Sequence, residues 1–394
     1  MLSPWLHRRV IKSREVPVNA THQTKSLQRS LILSFVSVLV LSVTGPNRAA
    51  GNDGIALEAR VQAMSRIKAA PYTRLADGSA ITVEDKFAHI TPDDGQTWLE
   101  PIPLFPNGPD LKVSNERVLI RSRDGAIILA FMNLNSRNWG WDDEKNAPDR
   151  EVRLDVWTVR SLDEGRTWQD AQRVQGGWCG AIRDIIQTSS GRVVFTAQIL
   201  ADNPPRHVTR AYSSDNDGKT WKAANILDLG GHGHHDGAIE ATIVERRNNR
   251  IWMLLRTNLD YFWEAFSNDQ GRYFREMRPT TIDASSSPAY LTRLESGRLA
   301  MTWNRLYLEG KDTANRRGGS LSESEASWER SELSIAFSDD DGATWTDPVV
   351  IARHEDASKR VSYPWIFERR PGELWITTMQ GGLKCRLFEK DFTK

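Results

Sequence analysis

One eight-residue pattern recurs five times along the chain and constrains the fold more than any other feature. It reads S/T-x-D-x-G-x-T-W, and its copies begin at Thr91, Ser161, Ser214, Ser267 and Ser338. The third copy has Asn in place of the Asp, and the fourth ends in Tyr-Phe instead of Thr-Trp. The copies are spaced by roughly 50 to 70 residues, a period typical of a β-propeller or another array of repeats.

The pattern also has a clear turn chemistry. An Asp side chain accepts hydrogen bonds from backbone N–H groups a few residues later and closes a turn, and the Gly supplies a positive φ. The closing Trp can bury a large apolar surface between neighbouring sheets, which agrees with the 15 tryptophans of the chain. We therefore interpret the carboxylates of the pattern as structural groups and not as a catalytic site.

Short apolar runs separated by turn residues fill the intervals between the copies. They divide into six units of four strands, except that the last unit, over 362–388, lacks a fourth strand. A strand from the N-terminal part of the chain would complete it, as ring closure requires. The predicted fold is an all-β, six-bladed β-propeller of four-stranded antiparallel blades. Five or seven blades remain alternatives, because the first and last units are the least regular.

The N-terminal 50 residues differ from the rest in charge and hydropathy. They hold seven Lys/Arg and one acid, so the rest of this chain of net charge +1 is mildly acidic and offers no reason to expect nucleic acid as a partner. The apolar run over 31–43 is too short for a membrane span and typical of a signal peptide. We expect an exported protein, secreted or periplasmic; an uncleaved anchor is the alternative and would be its only link to a membrane.

The remaining boundaries follow from composition. We predict a polar lead over 51–70 with a short helix around 57–66, and the propeller domain over 71–394. The two cysteines, Cys179 and Cys385, are either a disulfide bridge or two buried thiols. No cysteine spacing indicates a zinc site, and we expect no metal and no cofactor.

The repeated turns resemble the Asp boxes, or bacterial neuraminidase repeats, of sialidases and their six-bladed relatives. The resemblance covers 71–394, but such boxes occur in propellers of several activities and do not by themselves indicate the chemistry. It implies an exo-acting glycoside hydrolase, active as a monomer, that removes terminal sialic acid or a related acidic sugar from glycoconjugates. Sialidases use a Tyr nucleophile, since a carboxylate nucleophile would be repelled by the substrate carboxylate, which arginines bind through two hydrogen bonds.

Four positions match that family's strands. On one predicted hairpin, Glu240 would remove the proton of the nucleophile and Arg256 would bind the substrate carboxylate. Arg330, ahead of the last Asp box, would be a second carboxylate ligand. Tyr363, which opens the last unit, would be the nucleophile.

The match is weaker in the first half of the chain. The family's first arginine has two rival positions here, Arg117 and Arg183. Asp149 has the local sequence expected of the general acid, although it falls in the second predicted unit and the family would place it in the first.

A glycine-rich loop before Glu240 has no counterpart in the family pattern. It holds three of the eight histidines, and we expect His234, His235 and Asp236 to line the pocket as substrate contacts or proton carriers. A metal site and a plain surface loop are the alternatives. The Trp139-Gly140-Trp141 segment could likewise stack on a sugar ring or cap a blade.

Two other functions therefore stay open. The first is a hydrolase or lyase for another sugar that uses His234 or His235. The second is a glycan-binding propeller that is not an enzyme.

Overall fold

The computed structural model describes residues 54–319 and 321–393, so the expected signal peptide lies outside the described residues. Six antiparallel sheets are arranged in chain order, which confirms the predicted six-bladed propeller. Their strands are, in blade 1, Tyr72–Arg74, Ala80–Glu84, Phe87–Thr91 and Ile102–Pro103; in blade 2, Val113–Arg121, Ile127–Asn133, Val156–Ser161 and Gln169–Gln175; in blade 3, Ile182–Gln187, Val193–Asp202, Pro205–Ser214 and Lys222–Leu227; in blade 4, Ile239–Glu245, Ile251–Arg256, Tyr261–Ser267 and Arg275–Asp283; in blade 5, Tyr290–Arg293, Leu299–Trp303, Glu332–Ser338 and Val349–His354; in blade 6, Ser362–Arg370, Glu373–Gln380 and Lys384–Phe388.

Two short strands at the start of the described chain close the ring. Gln62–Ala63 pairs with Lys384–Phe388 as the fourth strand of blade 6, as predicted, and Ile55–Leu57 adds a fifth strand to blade 5. The helix expected around 57–66 is wrong. The open edges of blades 5 and 6 satisfy the backbone hydrogen bonds of this segment, so no helix is needed to pair them.

The remaining elements are small. Two hairpins, Trp141–Asp142 with Ala147–Pro148 and Arg316–Gly319 with Ser322–Ser327, extend from blades 2 and 5. Single 3₁₀ turns form at Leu134–Ser136 and Glu389–Asp391. Within the described ranges, no helix has the length and apolar character of a membrane span.

The core consists of one apolar cluster between each pair of neighbouring blades. The clusters between blades 1 and 2, 2 and 3, 3 and 4, 4 and 5, and 5 and 6 all contain buried second-strand residues. A sixth cluster, with Trp365 and Trp375 of blade 6 against Tyr72 of blade 1, closes the ring. Cys179 and Cys385 are free thiols buried in different clusters, so they form no bridge.

The Asp boxes lie between the third and fourth strands of blades 1 to 5 and have the predicted geometry. In blade 2, the Asp163 carboxylate accepts hydrogen bonds from the Thr167 backbone N (2.8 Å) and hydroxyl (2.6 Å), and the Ser161 hydroxyl accepts one from the Gly165 N (2.9 Å). The closing aromatic residue of each box packs into the cluster that its blade shares with the preceding blade. The boxes therefore hold neighbouring blades together, at the outer part of each blade.

The first strands of the blades surround the central axis and contact one another in sequence. Their pairing with the second strands is irregular at the entrance: the register shifts between Val113 and Arg117 in blade 2, and between Ile239 and Thr242 in blade 4. A bulge of this kind turns a side chain that a regular strand would direct elsewhere. These irregular entrances are where the site residues lie.

Candidate active site

A cavity of about 260 Å³ lies at the entrances of the first strands of blades 2, 3, 4 and 6. It is lined by Glu116, Arg137, Trp139, Trp178, Gly180, Gln198, His207, His234, His235, Ile239, Glu240, Arg256 and Tyr363. The lining combines aromatic surface with acidic, basic and imidazole groups. Polar groups that converge on a partly apolar cavity are typical of a small-molecule site.

Tyr363, Glu240 and Arg256 form one hydrogen-bonded group at the base of this cavity. The Tyr363 hydroxyl donates to Glu240 Oε1 at 2.8 Å, and Arg256 Nη1 donates to Glu240 Oε2 at 2.5 Å and to the Tyr363 oxygen at 3.2 Å. The other two Arg256 nitrogens donate to the Ser286 hydroxyl, at 3.1 Å and 2.8 Å. A base, a potential nucleophile and a cation are thus already in contact, with their orientation set by a serine behind them.

The backbone at two of these residues is unusual. Glu240 has φ 48° and Tyr363 has φ 62°, in the left-handed region that side chains with a Cβ rarely occupy. Such conformations persist only where the surrounding structure imposes them, and they are enriched at active sites. Each residue is at the entrance of a first strand, where the unusual backbone directs its side chain toward the axis.

Two further arginines flank Tyr363. The guanidinium carbon of Arg330 lies 5.6 Å from the centre of the Tyr363 ring, and that of Arg183 lies 5.4 Å from it. Arg330 donates to the Ser286 carbonyl and lies 4.3 Å from the centre of the Trp328 ring, whereas Arg183 donates to the Pro364 carbonyl at 2.7 Å. The structure therefore brings Tyr363 together with three of the four candidate arginines, although only Arg256 among them lines the cavity.

The charges around this group determine which of its members holds a proton. Burial alone would raise the pKa of Glu240, but Arg256, with Arg330 and Arg183, brings it below the usual range, so the carboxylate is ionised. Burial, with the charge of Glu240, raises the pKa of Tyr363 to about 12. In the resting site the proton therefore stays on the tyrosine, hydrogen-bonded to the carboxylate that would accept it.

Glu116, on the first strand of blade 2, is a second carboxyl group in the cavity. It is 7% exposed, and its Oε2 has no hydrogen-bond partner among the described residues. Burial, followed by the charge of Glu240, raises its pKa to about 8. Sequence reasoning missed this residue and selected its neighbour, Arg117.

Arg117 and Asp149 lie apart from the lining. The Arg117 guanidinium donates to the carbonyl oxygens of Asn115 (2.9 Å) and Ser114 (3.4 Å), and it acts electrostatically on Glu84 and Tyr72 of blade 1. Asp149 is exposed, with its side chain against Gly140 at the base of the 141–148 hairpin. Neither is in position to act at Tyr363 in this structure.

The histidine loop, residues 231–237, contributes some side chains to the cavity lining and others to the support of the loop itself. His234 and His235 line the cavity, with their Nδ1 atoms 2.5 Å apart. Burial lowers the pKa of His235 to about 2, so this ring is neutral at ordinary pH. Asp236 lies outside the lining: its carboxylate accepts the backbone N–H groups of Gly237 (2.8 Å) and His232 (3.2 Å) and so shapes the loop.

Several lining residues had little or no sequence signal. His207 comes from the third strand of blade 3, and its Nε2 lies 2.9 Å from the His234 carbonyl oxygen. Burial lowers the pKa of His207 to about 4. Arg137 is exposed at the cavity. Trp139, which the sequence did single out, lies 4.1 Å from Trp178 between ring centres, and together they form an aromatic wall.

No group of three or more His, Cys, Asp or Glu side chains within the described ranges is arranged to hold a metal ion. This includes the histidine loop. His232, for instance, lies with one ring nitrogen 3.1 Å from Glu323 and the other 2.8 Å from the Asn146 carbonyl.

The sequence matches the BNR repeat-like domain over residues 80–376. The chain belongs to this family. Its repeats are the Asp boxes described above, and Glu240, Arg256, Arg330 and Tyr363 lie within the matched range. No curated protein matches the sequence.

Solved structures with the same fold include several sialidases. A Dyadobacter fermentans protein of unknown function superposes with a TM-score of 0.56 at 16% identity, covering 85% of this chain and 99% of that one. The Hadza microbial sialidase Hz136 has a TM-score of 0.56 at 17% identity, over 82% of this chain and 65% of its own. The K499G mutant of NanB sialidase from Streptococcus pneumoniae has a TM-score of 0.55 at 13% identity, over 85% and 71%. At these identities the likeness shows a sialidase-like propeller fold and leaves the reaction to the site.

Proposed function

We propose that this BNR repeat-like protein is an exo-acting glycoside hydrolase that removes a terminal sialic acid or a related acidic sugar, with Tyr363 as nucleophile. One observation supports it above the others: the Tyr363 hydroxyl donates to the ionised Glu240 while Arg256 donates to both. A structural tyrosine in a propeller core needs neither a buried carboxylate as acceptor nor a left-handed backbone.

The proposed reaction has two steps. The Tyr363 oxygen attacks the anomeric carbon as its proton passes to Glu240, and the bond to the leaving oxygen breaks. Water then attacks the same carbon and loses a proton, which balances the proton that the leaving oxygen takes up, and Tyr363 recovers its own proton from Glu240. Arg256 stabilises the charge that develops on the tyrosine oxygen, because its Nη1 already donates to that atom. Two displacements at one carbon retain the configuration.

The positive charge around Tyr363 supports an acidic substrate. Arg256, Arg330 and Arg183 surround this residue, and Arg137 is exposed at the cavity. A substrate carboxylate next to the reacting carbon would repel a carboxylate nucleophile, whereas a neutral tyrosine avoids this repulsion. The substrate we propose is the terminal residue of a glycan or glycoconjugate.

A second candidate is a hydrolase or lyase for another acidic sugar. The observation that favours it is that all three nitrogens of Arg256 already donate within the protein, while three histidines and Arg137 line the other side of the cavity. A lyase would leave a carbon–carbon double bond in its product, which ultraviolet absorbance detects, and a hydrolase would not.

The decisive experiment is hydrolysis of a fluorogenic aryl sialoside by the full chain and by the Tyr363→Phe variant. Tyr261→Phe, an exposed tyrosine, serves as the matched control. We expect turnover by the parent and by the control, and a loss of more than about 10³-fold in Tyr363→Phe. Equal turnover by Tyr363→Phe, or no turnover by a folded parent protein, would overturn the proposal.

We further propose that the protein is exported. The basic residues followed by the apolar run over 31–43 support this proposal. N-terminal sequencing of the mature protein from the extracytoplasmic fraction would test it, and a mature chain that retains Met1 in the cytoplasm would contradict it.

A further inference from the structure

The proposed reaction requires a proton for the leaving oxygen, and this inference rests on that proposed function. Glu240 cannot supply the proton, because it receives the one from Tyr363. Asp149, which the sequence resemblance suggests, is exposed and outside the lining. Among the residues that line the cavity, Glu116 is the carboxyl group that remains.

The geometry of Glu116 is that of a group left available for a ligand. It is buried at the register shift of the first strand of blade 2, beside the axis. Its Oε2 has no hydrogen-bond partner among the described residues, and an unsatisfied buried polar atom costs about 1–3 kcal/mol. Because Glu116 also lines the cavity, a rotation of its side chain would let a ligand hydroxyl or glycosidic oxygen satisfy this atom.

We propose that Glu116 is the general acid that protonates the leaving oxygen and then the general base that activates the water. In the first step the proton of Glu116 passes to the leaving oxygen as the glycosidic bond breaks. In the second step the Glu116 carboxylate takes a proton from water as the water oxygen attacks the anomeric carbon. The cycle consumes one water and restores both Glu116 and Tyr363 to their starting protonation.

The surroundings of Glu240 and Glu116 fit the roles of base and acid, respectively. The ionisable groups that act on Glu116 are Glu240, Arg183, Arg256, Tyr363 and Cys179. Glu240 is ionised beside Arg256, whereas burial and the charge of Glu240 raise the pKa of Glu116 to about 8 and keep it protonated at neutral pH. Two carboxyl groups with pKa values driven apart by their surroundings are the usual arrangement of an acid and a base.

The histidines fit this role less well. Burial lowers the pKa values of His207, His234 and His235, so these rings are neutral and are poor acids at neutral pH. His207 Nε2 is also engaged with the His234 carbonyl oxygen at 2.9 Å.

The test uses two substrates that differ in their need for a proton. A sialyl-lactose requires protonation of its leaving sugar, whereas a sialoside of an acidic phenol does not. We expect Glu116→Gln to lose about 10²–10⁴-fold in kcat on the first and far less on the second, and to lose the alkaline limb of the pH profile. Asp149→Asn is the comparison variant: the same pattern in Asp149→Asn and not in Glu116→Gln, or equal losses on both substrates, would overturn the assignment.

A second measurement does not depend on turnover. Infrared difference spectra of the parent against Glu116→Gln should show a protonated carboxyl band at neutral pH that disappears as the pH rises through about 8. In a Glu240→Gln background the band should disappear at lower pH, because the charge that raises the pKa of Glu116 is gone. An ionised Glu116 at neutral pH would overturn this assignment even if the enzyme is active. A protonated Glu116 in a protein that hydrolyses no glycoside would instead locate the failure in the proposed function.

Discussion

The two sides of the cavity differ in whether their buried polar groups have hydrogen-bond partners within the protein. On the side of blades 4 to 6, Glu240, Arg256 and Tyr363 satisfy one another through short hydrogen bonds. On the side of blades 2 and 3, buried polar atoms lack partners among the described residues: Glu116 Oε2, Trp178 Nε1 and Gln198 Oε1. Since buried polar groups are normally paired, the first side fits the reaction centre that we propose, and the second leaves polar groups that a bound ligand would satisfy.

This difference assigns separate roles to the two sides. Groups already held in place contribute to the rate, because they need no rearrangement when charge develops. Groups that gain a hydrogen-bond partner only when a ligand binds contribute to recognition, or to a proton transfer that occurs only with substrate present. Substitutions on the two sides should therefore separate kcat from KM.

Among the substitutions that compare the two sides of the cavity, the largest effect is expected at Arg256. Arg256→Met leaves Glu240 as a buried charge without its partner, which costs about 3–5 kcal/mol of folding free energy, and it removes the stabilisation of the tyrosine oxygen. We expect kcat to fall by at least about 10²-fold and the acid limb of the pH profile to move to higher pH, because the pKa of Glu240 rises without Arg256. Denaturant unfolding and pH–rate profiles measure both effects.

The control for Arg256 is Arg305→Met, which breaks an ion pair with Asp283 at the surface. Such pairs contribute about 0–1 kcal/mol. If the two variants had equal stability and activity, the comparison between the two sides of the cavity would fail.

The second-largest effect is expected at Arg137, on the side of blades 2 and 3. Arg137→Gln should raise KM for an acidic substrate on the order of 10-fold and leave KM for its neutral ester analogue unchanged, because only the charged form meets the guanidinium. Stability should not change, since Arg137 is exposed. Arg150→Gln, an exposed arginine two residues after the nearby 141–148 hairpin, should alter neither value; equal changes in both variants would point to a general charge effect.

A smaller effect is expected at the aromatic wall. Trp178→Ala removes a ring that lines the cavity beside Trp139, so KM should rise about 3- to 10-fold with little change in kcat, as for loss of uniform binding. Trp168→Ala, at an Asp box in the cluster between blades 1 and 2, should lower the unfolding temperature without raising KM. A fall in kcat for Trp178→Ala would mean that this side also takes part in the chemical step.

The smallest effect on activity is expected at the Asp boxes. Asp163→Ala removes three hydrogen bonds that close the blade 2 turn and should cost about 1–3 kcal/mol of unfolding free energy while kcat and KM stay unchanged. Asp124→Ala, at an exposed turn of the same blade, is the control and should change stability much less. A fall in kcat for Asp163→Ala alone would show that the box and the cavity are coupled.

The features that depend on hydrogen bonds between residues close in sequence could be predicted from the sequence. The Asp boxes are closed within a few residues, as with Asp163 and Thr167, so five copies predicted the blades and their order. The Glu240–Arg256 pair was also accessible, because one hairpin joins the two residues. Tyr363, which lies far along the chain from Glu240, was found through the family resemblance and not through any local signal.

Glu116 and Arg117 show where such reasoning stops. Neighbouring residues of a strand point to opposite faces, and a bulge changes which of them faces the axis. The register shift between Val113 and Arg117 is not visible in the sequence, so the arginine was selected and the glutamate was missed. Asp149 had the right neighbours in sequence, but the hairpin at 141–148 turns its side chain onto Gly140.

The sequence by itself determined the propeller: the repeated turns, their aromatic residues and the strand pattern each depend on contacts that are short in sequence or repeat with a period. The tertiary structure alone decided the site. A buried carboxyl group is ionised when an arginine lies beside it and stays protonated when it does not. Which of these holds depends on which strands meet at the axis, and on how exposed each group is there and which charges surround it. Those quantities arise only when the ring closes, and they distinguish Glu240 from Glu116.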